Sequence, residues 1–216
     1  MIPGSPAPAI VADRPPTTAA QATKRGLDIV GASLGLVVLV PLFLLVALWI
    51  ALVVGSPVLF RPWRVGAHGR PFRVVKFRTM VPDAEDQLPL VEGLNEIRGP
   101  GFKITVDPRV TRTGRALRRM SIDELPQLWN VLKGEMSLVG PRPALPREVA
   151  EYAPWHHRRL ETRPGITGLW QVSARSECDF DRWVEVDLAY LDNWSLLLDL
   201  KILLRTIPVV LAGDGR

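Results

Sequence analysis

Residues 29–60 have the sequence IVGASLGLVVLVPLFLLVALWIALVVGSPVLF and contain no formal charge over 32 positions. An apolar run of this length is typical of a helix embedded in a membrane, because about 20 residues are enough to cross the hydrocarbon core. As one straight helix the run measures about 48 Å at 1.5 Å per residue, which exceeds a core of about 30 Å. The sequence therefore predicts a membrane helix that is tilted or bent.

Pro41 interrupts this run, and a proline inside a helix removes a backbone hydrogen bond and favours a kink. Basic residues flank both ends of the run, with Lys24 and Arg25 before it and Arg61, Arg64, Arg70 and Arg73 after it. Because Lys and Arg beside membrane helices favour the cytoplasm, this symmetry fits a re-entrant helix that bends near Pro41 and leaves by the face it entered. A tilted helix that crosses the membrane once fits the same residues, so both topologies stay open on this evidence.

The composition is that of a folded protein. The 216 residues are 47% hydrophobic and 23% charged, which excludes disorder over most of the chain. A net charge of +5 suits nucleic acid, anionic lipid headgroups or phosphorylated substrates, and the membrane segment favours the last two. The single Cys178 excludes an internal disulfide, and with three histidines the chain has no zinc-type ligand set.

Shifts in composition divide the chain into four segments. Residues 1–23 are rich in Pro, Ala and Thr and are predicted to form a flexible tail. Residues 24–60 form the membrane helix, residues 61–211 the following domain, and residues 212–216 a C-terminal tail.

The domain is predicted to be α+β and mostly helical, with a small β element. Alternation in residues 71–80 predicts a short strand that ends near Lys76. Apolar spacing predicts a helix over residues 111–120, another from Ile122 to Lys133 that stops at Gly134, and amphipathic helices over 146–162 and 180–211. Their aromatic and basic residues fit helices at a membrane surface, although ordinary core packing also explains each of them.

The stretch SIDELPQLWNVLKGEMSLVGPRP, residues 121–143, has two interpretations. Ser121 and Glu124 have the spacing of a capping box, in which the acids only stabilise a helix N-terminus. Alternatively, Asp123 and Glu124 carry the chemistry. Arg142 lies between two prolines, and a guanidinium on such a stiff backbone suits a bidentate phosphate contact. A rigid connecting loop with a solvated arginine is the simpler alternative.

Five motifs in order resemble the bacterial sugar transferases of the monotopic phosphoglycosyl transferase superfamily, and the resemblance covers about residues 24–207. The motifs are KRGLDIVGASLGL, VVKFRTM, SIDELPQLWNVLKGEMSLVGPRP, RPGITGLWQVSARS and LDLKILLRT. The resemblance implies transfer of a sugar 1-phosphate from a UDP-sugar to undecaprenyl phosphate, with release of UMP. Such a reaction begins lipid-linked glycan synthesis for exopolysaccharide, capsule, O-antigen or glycoprotein at the cytoplasmic face of the bacterial inner membrane. The resemblance also favours a monotopic, re-entrant helix broken at Pro41, although Val40 stands where several relatives have Ser.

The resemblance also implies roles for individual residues. Asp123 is the nucleophile that forms an aspartyl phosphosugar, and Glu124 binds Mg²⁺. Gln171 contacts the nucleotide or sugar together with Arg175, in a loop where Ala174 replaces the glycine of many relatives. The implied phosphate-binding cations are Lys76, Arg78, Arg118 and Arg142.

Two other functions remain for the same residues. A membrane-tethered basic domain that binds or scaffolds without catalysis explains the arginines and the apolar helix, but not the ordered series of motifs. An enzyme such as a lipid phosphatase needs only one phosphorylated substrate. The expected partners are the UDP-sugar, undecaprenyl phosphate and membrane lipids, with no nucleic acid, and self-association as a homo-oligomer stays open.

Overall fold

The computed structural model describes residues 18–174 and 176–213. Its helices are α1 Thr18–Val53, α2 Leu88–Val91, α3 Arg112–Arg119, α4 Leu128–Lys133, α5 Pro146–Ala150, α6 Leu169–Ser173, α7 Phe180–Asp192 and α8 Leu196–Leu211. Short 3₁₀ helices occupy Ala67–Gly69, Glu92–Leu94, Ile122–Gln127 and Pro154–Glu161. Its strands are β1 Leu59–Phe60, β2 Trp63–Val65, β3 Pro71–Arg73, β4 Lys76–Phe77, β5 Ser137–Val139 and β6 Gly165–Thr167. The predicted mostly helical α+β class is confirmed.

The strands of the described residues form three small two-stranded sheets. Strands β1 and β4 pair antiparallel, with Phe60 opposite Lys76, and β2 pairs antiparallel with β3. Strands β5 and β6 pair parallel, with Ser137 opposite Gly165. Each sheet is too short to form a separate layer, so the helices supply most of the packing.

Helix α1 begins at Thr18, inside the segment that was predicted as a tail, and residues 1–17 lie outside the described part of the chain. The helix is continuous through Pro41, where the sequence predicted a break. A single proline has a φ that suits a helix and removes only one hydrogen bond, so the flanking turns carry the helix across it. Among the described residues α1 is the one helix long and apolar enough to cross a membrane.

The N-terminal half of α1 is fastened to the domain by polar contacts. The buried carboxylate of Asp28 accepts hydrogen bonds from Ser137 Oγ at 3.0 Å and from the Leu138 backbone N–H at 2.9 Å. Lys24 Nζ lies 2.6 Å from Asp199 Oδ2 on α8. The first and last of the five sequence motifs therefore meet here and attach α1 to the domain.

The C-terminal half of α1 contacts the same domain through apolar side chains. Val46 and Ile50 are buried in one cluster with Phe77 and Leu117, and the Phe43 and Phe77 rings lie 5.8 Å apart. Both halves of α1 thus lie against one domain. Helix α1 also has many exposed large apolar side chains, which are Leu27, Ile29, Val30, Leu34, Val37, Val38, Val40, Leu44, Leu45, Leu48, Trp49, Leu52 and Val53.

The segment that follows Ser121 differs from the predicted helix. Ser121 adopts a left-handed backbone with φ of 54° and makes no side-chain capping bond, so the predicted capping box is wrong. Residues Ile122–Gln127 form a 3₁₀ helix, and the α-helix begins only at Leu128. Pro126 explains the difference, because it has no N–H to donate to the carbonyl four residues earlier. Gly134, with φ of 81°, ends the helix as predicted.

The remaining helices lie where they were predicted, but two of the three are interrupted. Helix α3 lies within residues 111–120, and the Thr111 side chain caps it by accepting from Gly114 N. The predicted helix over 146–162 is divided into α5 and a 3₁₀ helix that starts at Pro154, and the one over 180–211 is divided into α7 and α8. Their location at a membrane surface stays a prediction.

Candidate active site

Lys76 is the first residue of β4. Phe60 contacts its side chain, and Asn130 holds the backbone that precedes it. The Lys76 ammonium lies 5.4 Å from the centre of the Phe60 ring on the paired strand. Asn130 is fully buried, its Oδ1 accepts from Val75 N at 2.9 Å, and its Nδ2 donates to the Arg73 carbonyl at 2.8 Å. Lys76 is therefore presented on a rigid segment rather than on a free loop.

Thr79 connects this segment to α3. Its carbonyl oxygen accepts from Thr111 N at 3.0 Å, and its hydroxyl accepts from Arg118 Nε at 3.0 Å. The helix can approach this closely because Gly114 has no side chain, since a Cβ at that position would lie 1.9 Å from Thr79 O. Arg118 and Lys76 are consequently brought to the same part of the domain.

Asp123 and Glu124 lie in the 3₁₀ helix that follows Ser121, and this helix contacts both β4 and α3. Only 6% of the Asp123 surface is exposed, whereas Glu124 is partly exposed. The pair therefore combines one buried carboxyl with one that solvent or a ligand can reach.

Burial and the neighbouring charge of Glu124 raise the pKa of Asp123 to about 6, against the opposing effect of Lys76 and Arg118. At pH 7 the carboxyl is still mostly ionised, but it is more basic than an exposed aspartate. A buried titratable group with specific charged neighbours is a common property of catalytic sites.

The ammonium of Lys76 is shifted in the opposite direction. Burial and the nearby guanidinium groups of Arg64 and Arg118 lower its pKa to about 8, while Asp123 and Glu124 oppose the shift. Lys76 therefore carries a positive charge at pH 7 but loses it at mildly alkaline pH. The acid and the base of one cluster thus titrate on either side of neutrality.

Arg142 follows β5 and is held by a buried acid. Its Nη1 donates to Glu148 Oε1 at 3.3 Å, and the other oxygen of Glu148 accepts from Leu145 N at 2.8 Å. Glu148 lies in the first turn of α5 and is almost completely buried. The sequence predicted a stiff backbone for Arg142, and the structure adds this contact to its side chain.

Arg64 is a member of the cluster that sequence reasoning missed. It lies on β2, and burial together with the charge of Arg142 lowers its pKa to about 10, while Glu148 and Glu124 oppose the shift. In the sequence, Arg64 was considered only as a basic flank of the membrane run. The signal that it has another role is its position on β2, whose partner strand β3 comes directly before the segment that leads to Lys76.

The other predicted contacts are located differently. Arg78 donates to the Ser56 carbonyl at 3.4 Å, near the segment that leaves α1. Gln171 lies on α6 and donates to the Ile166 carbonyl at 3.2 Å. In the described part of the chain neither is hydrogen-bonded to Asp123 or Glu124, and Arg175 lies outside that part. Their roles stay predictions.

The carboxylate pair fits a magnesium ion that binds together with a substrate. No group of three or more His, Cys, Asp and Glu side chains among residues 18–174 and 176–213 is arranged to hold a metal. Mg²⁺ often uses only one or two carboxylates, with water and substrate phosphates as its other ligands. Glu124 is the partly exposed member of the pair, so it is the better ligand of the two.

Comparisons with known proteins all lead to one family. A family model described as bacterial sugar transferase matches residues 19–213. The galactosyl transferase CpsE of Streptococcus agalactiae serotype III (strain NEM316) is 47% identical over 195 residues, which cover 89% of this chain and 43% of CpsE. The exopolysaccharide production protein ExoY of Rhizobium meliloti is 41% identical over 196 residues, covering 89% of this chain and 87% of ExoY.

A further relative is the UDP-glucose:undecaprenyl-phosphate glucose-1-phosphate transferase of Caulobacter vibrioides. It is 41% identical over 223 residues, which cover 99% of this chain and 76% of the relative. The chain therefore spans most of the length of two of these relatives but less than half of CpsE.

Proposed function

The chain belongs to the bacterial sugar transferase family, and we propose that it transfers a sugar 1-phosphate from a UDP-sugar to undecaprenyl phosphate. The buried Asp123 carboxyl, with its raised pKa and its neighbours Glu124, Lys76 and Arg118, carries this proposal. The relatives' names support the reaction class, since one describes a UDP-glucose to undecaprenyl-phosphate transfer. Another is named a galactosyl transferase, so the sugar itself does not carry over.

In the first half-reaction an Asp123 oxygen attacks the β-phosphorus of the UDP-sugar. The new P–O bond forms as the bond between that phosphorus and the bridging oxygen breaks, and the electron pair departs on the oxygen of UMP. An aspartyl phosphosugar remains on the protein. The raised pKa supports Asp123 in this role, because a more basic carboxylate is the stronger nucleophile while it stays ionised at pH 7.

In the second half-reaction a phosphate oxygen of undecaprenyl phosphate attacks the same phosphorus. The bond from phosphorus to Asp123 breaks, its electron pair returns to the carboxylate, and the sugar leaves on a lipid pyrophosphate. A covalent intermediate suits two anionic substrates, because the two polyanions need not react with each other directly.

The cations supply charge where the phosphoryl group is transferred. Lys76 and Arg118 act electrostatically on Asp123, so a phosphoryl group bonded to that carboxylate lies within their influence. Glu124 would hold Mg²⁺, and the bound ion would supply positive charge that offsets the repulsion between the attacking carboxylate and the diphosphate. Lys76 contributes as a cation only below its pKa of about 8.

The contacts of α1 support a monotopic arrangement at the cytoplasmic face of the bacterial inner membrane. Asp28 attaches one half of α1 to the domain, and Val46 and Ile50 pack the other half against it. A helix that crosses the membrane with both halves in contact with one domain would draw that domain into the bilayer. Re-entry avoids this, and the basic residues at both ends favour the cytoplasmic face.

The proposal is tested with purified full-length protein, Mg²⁺, undecaprenyl phosphate and a panel of UDP-sugars. We expect UMP release with at least one sugar, together with a pyrophosphate-linked lipid product. Asp123→Asn should remove both turnover and the covalent adduct detected by mass spectrometry, whereas the exposed Asp86→Asn should retain them. If no sugar of the panel yields UMP, the proposed function is wrong.

A further inference from the structure

The carboxylates of the site are surrounded by four cations, Arg64, Lys76, Arg118 and Arg142. Lys76 and Arg118 act on Asp123. Arg64 lies within electrostatic range of Arg142, Glu148 and Glu124, and also of Lys76. Among the described residues, Arg64, Lys76 and Arg118 form no ion pair with any carboxylate. Partly buried cations without such partners are typical of a site for an anionic ligand.

Backbone contacts bring Arg64 and Arg142 together from distant parts of the chain. The residue after Arg64, Val65, forms an antiparallel bridge with Ala144, and Val65 N donates to the Ala144 carbonyl at 2.9 Å. Helix α5, which carries Glu148, also contacts β2. The segment with Arg142 is therefore attached directly to the strand with Arg64.

The charge of the Arg64 and Arg142 pair is only partly compensated. Glu148 is the one carboxylate that forms an ion pair with either arginine in the described part of the chain, and it contacts Arg142 at 3.3 Å. The Arg64 guanidinium donates to the Trp63 carbonyl at 3.1 Å, and in the described part of the chain it forms no ion pair. Two guanidinium groups with one carboxylate present a net positive charge and a planar set of donors, which is the chemistry that phosphate recognition uses.

The two half-reactions place two different phosphates at the same position. In-line displacement puts the leaving oxygen opposite the attacking carboxylate of Asp123. In the second half-reaction Asp123 is the leaving group, so the attacking oxygen of the acceptor must approach the phosphorus along that same line. The α-phosphate of UMP and the phosphate of the lipid therefore occupy one location in turn.

We propose that Arg64 and Arg142, the latter held by Glu148, form a single phosphate subsite shared by the two half-reactions. It binds the α-phosphate of the UDP-sugar while UMP leaves, and the phosphate of undecaprenyl phosphate while the acceptor attacks. The proposal rests on the proposed function and adds Arg64 as a substrate-binding residue. Lys76 and Arg118 then stabilise the phosphoryl group that is transferred.

The test compares Arg64→Gln with Arg70→Gln, which removes the same charge from an exposed position in the same hairpin. A shared subsite makes UMP a competitive inhibitor against undecaprenyl phosphate. We expect Arg64→Gln to raise both the KM for undecaprenyl phosphate and the inhibition constant of UMP by about tenfold or more, as for the loss of a charge-assisted contact. Arg70→Gln should change neither constant.

A binding measurement provides a readout apart from turnover. In the Asp123→Asn background, calorimetric titration with UMP should show about tenfold weaker binding after Arg64→Gln. Glu148→Gln keeps an acceptor for Leu145 N but removes the charge that holds Arg142, so it should raise both kinetic constants by a smaller, parallel factor. If Arg64→Gln does not fold, Arg64→Lys replaces it, with both constants raised about threefold because the charge stays but the bidentate geometry is lost.

The outcomes separate the two proposals. If wild-type protein turns over and Arg64→Gln has the same constants as Arg70→Gln, the subsite is wrong and the proposed function stands. A rise in the KM for the lipid without a rise in the UMP constant overturns the shared occupancy. Absence of UMP release by the wild-type protein defeats the proposed function, and the subsite with it.

Discussion

The side-chain amide of Asn130 holds the backbone at Val75, with Oδ1 accepting from Val75 N at 2.9 Å. The same amide donates to the Arg73 carbonyl at 2.8 Å, so one buried side chain fixes the backbone on both sides of Val74. Lys76 follows directly after Val75. An asparagine that a sequence motif places beside the carboxylate pair thus acts by positioning the lysine that faces them.

Asn130→Ala should both destabilise the protein and slow turnover. Its loss leaves the Val75 N–H and the Arg73 carbonyl without their partner in a partly buried environment, which costs roughly 2–4 kcal/mol. Chemical denaturation and UMP release measure the two effects. Asn193→Ala serves as the control, because the Asn193 amide bonds only to a carbonyl of its own helix, and it should cost less than about 1 kcal/mol. Equal stability of the two variants would contradict the positioning role.

Asp123→Asn should stabilise the protein while it abolishes activity. The pKa of Asp123 is raised from 3.8 to about 6 in the fold, so ionisation disfavours the folded state. This loss of folding stability is absent below pH 4, grows between pH 4 and 6, and is complete above pH 6. The variant should therefore gain roughly 1–3 kcal/mol at pH 7 and nothing at pH 4. Thermal unfolding at both pH values measures this gain in stability, with Asp86→Asn as the control.

The rate of UMP release should have a bell-shaped dependence on pH. The acidic limb is expected near pH 6, where the Asp123 nucleophile becomes protonated, and the alkaline limb near pH 8, where Lys76 loses its charge. The profile of kcat/KM reports these groups in the free protein. Lys76→Arg should move the alkaline limb upward in the residual activity, because a guanidinium stays charged. An unmoved limb would assign it to another group.

Gly114→Ala should disrupt the contact between α3 and the Lys76 segment. The added Cβ would lie 1.9 Å from Thr79 O, so the helix must move away and the Arg118 to Thr79 bond is weakened. A loss of at least about 2 kcal/mol is expected, together with slower UMP release. Gly93→Ala, where a Cβ meets no atom within 4 Å, should leave both properties unchanged. The same stability in both variants would contradict the contact.

Re-entry of α1 predicts that its two ends are labelled from one side of the membrane. In a Cys178→Ser background, cysteines introduced by Ala22→Cys and Arg70→Cys should react with an impermeant thiol reagent in inverted vesicles and not in intact cells. Both positions are exposed in the structure. Pro41→Leu restores the missing backbone hydrogen bond and should favour a crossing helix. Labelling of position 22 from outside in the parent protein would show that α1 crosses the membrane.

Several features follow from local sequence alone. The apolar run predicts α1, and the glycine after Lys133 predicts the end of α4. The spacing within residues 111–120 predicts α3. In each case the determining interaction is between residues a few positions apart, as in helix periodicity and helix termination.

Other expectations failed because they also used only local sequence, whereas tertiary packing determines the structure at those positions. Ser121 has the local spacing of a capping residue, but the chain must turn sharply there to bring Asp123 beside β4, and the serine adopts a left-handed backbone instead. The predicted continuity of the helices in residues 146–162 and 180–211 also depended on packing that periodicity does not report.

The membrane helix, the mostly helical class and the family can all be predicted from residue order, because apolar length and motif spacing are properties of the linear chain. The burial of Asp123, the proximity of Arg64 to Arg142 and the attachment of Lys76 by Asn130 required the folded structure. Burial and charge proximity depend on segments that are distant in the chain, such as those of Lys76 and Asp123, and these set the pKa values on which the proposed chemistry relies.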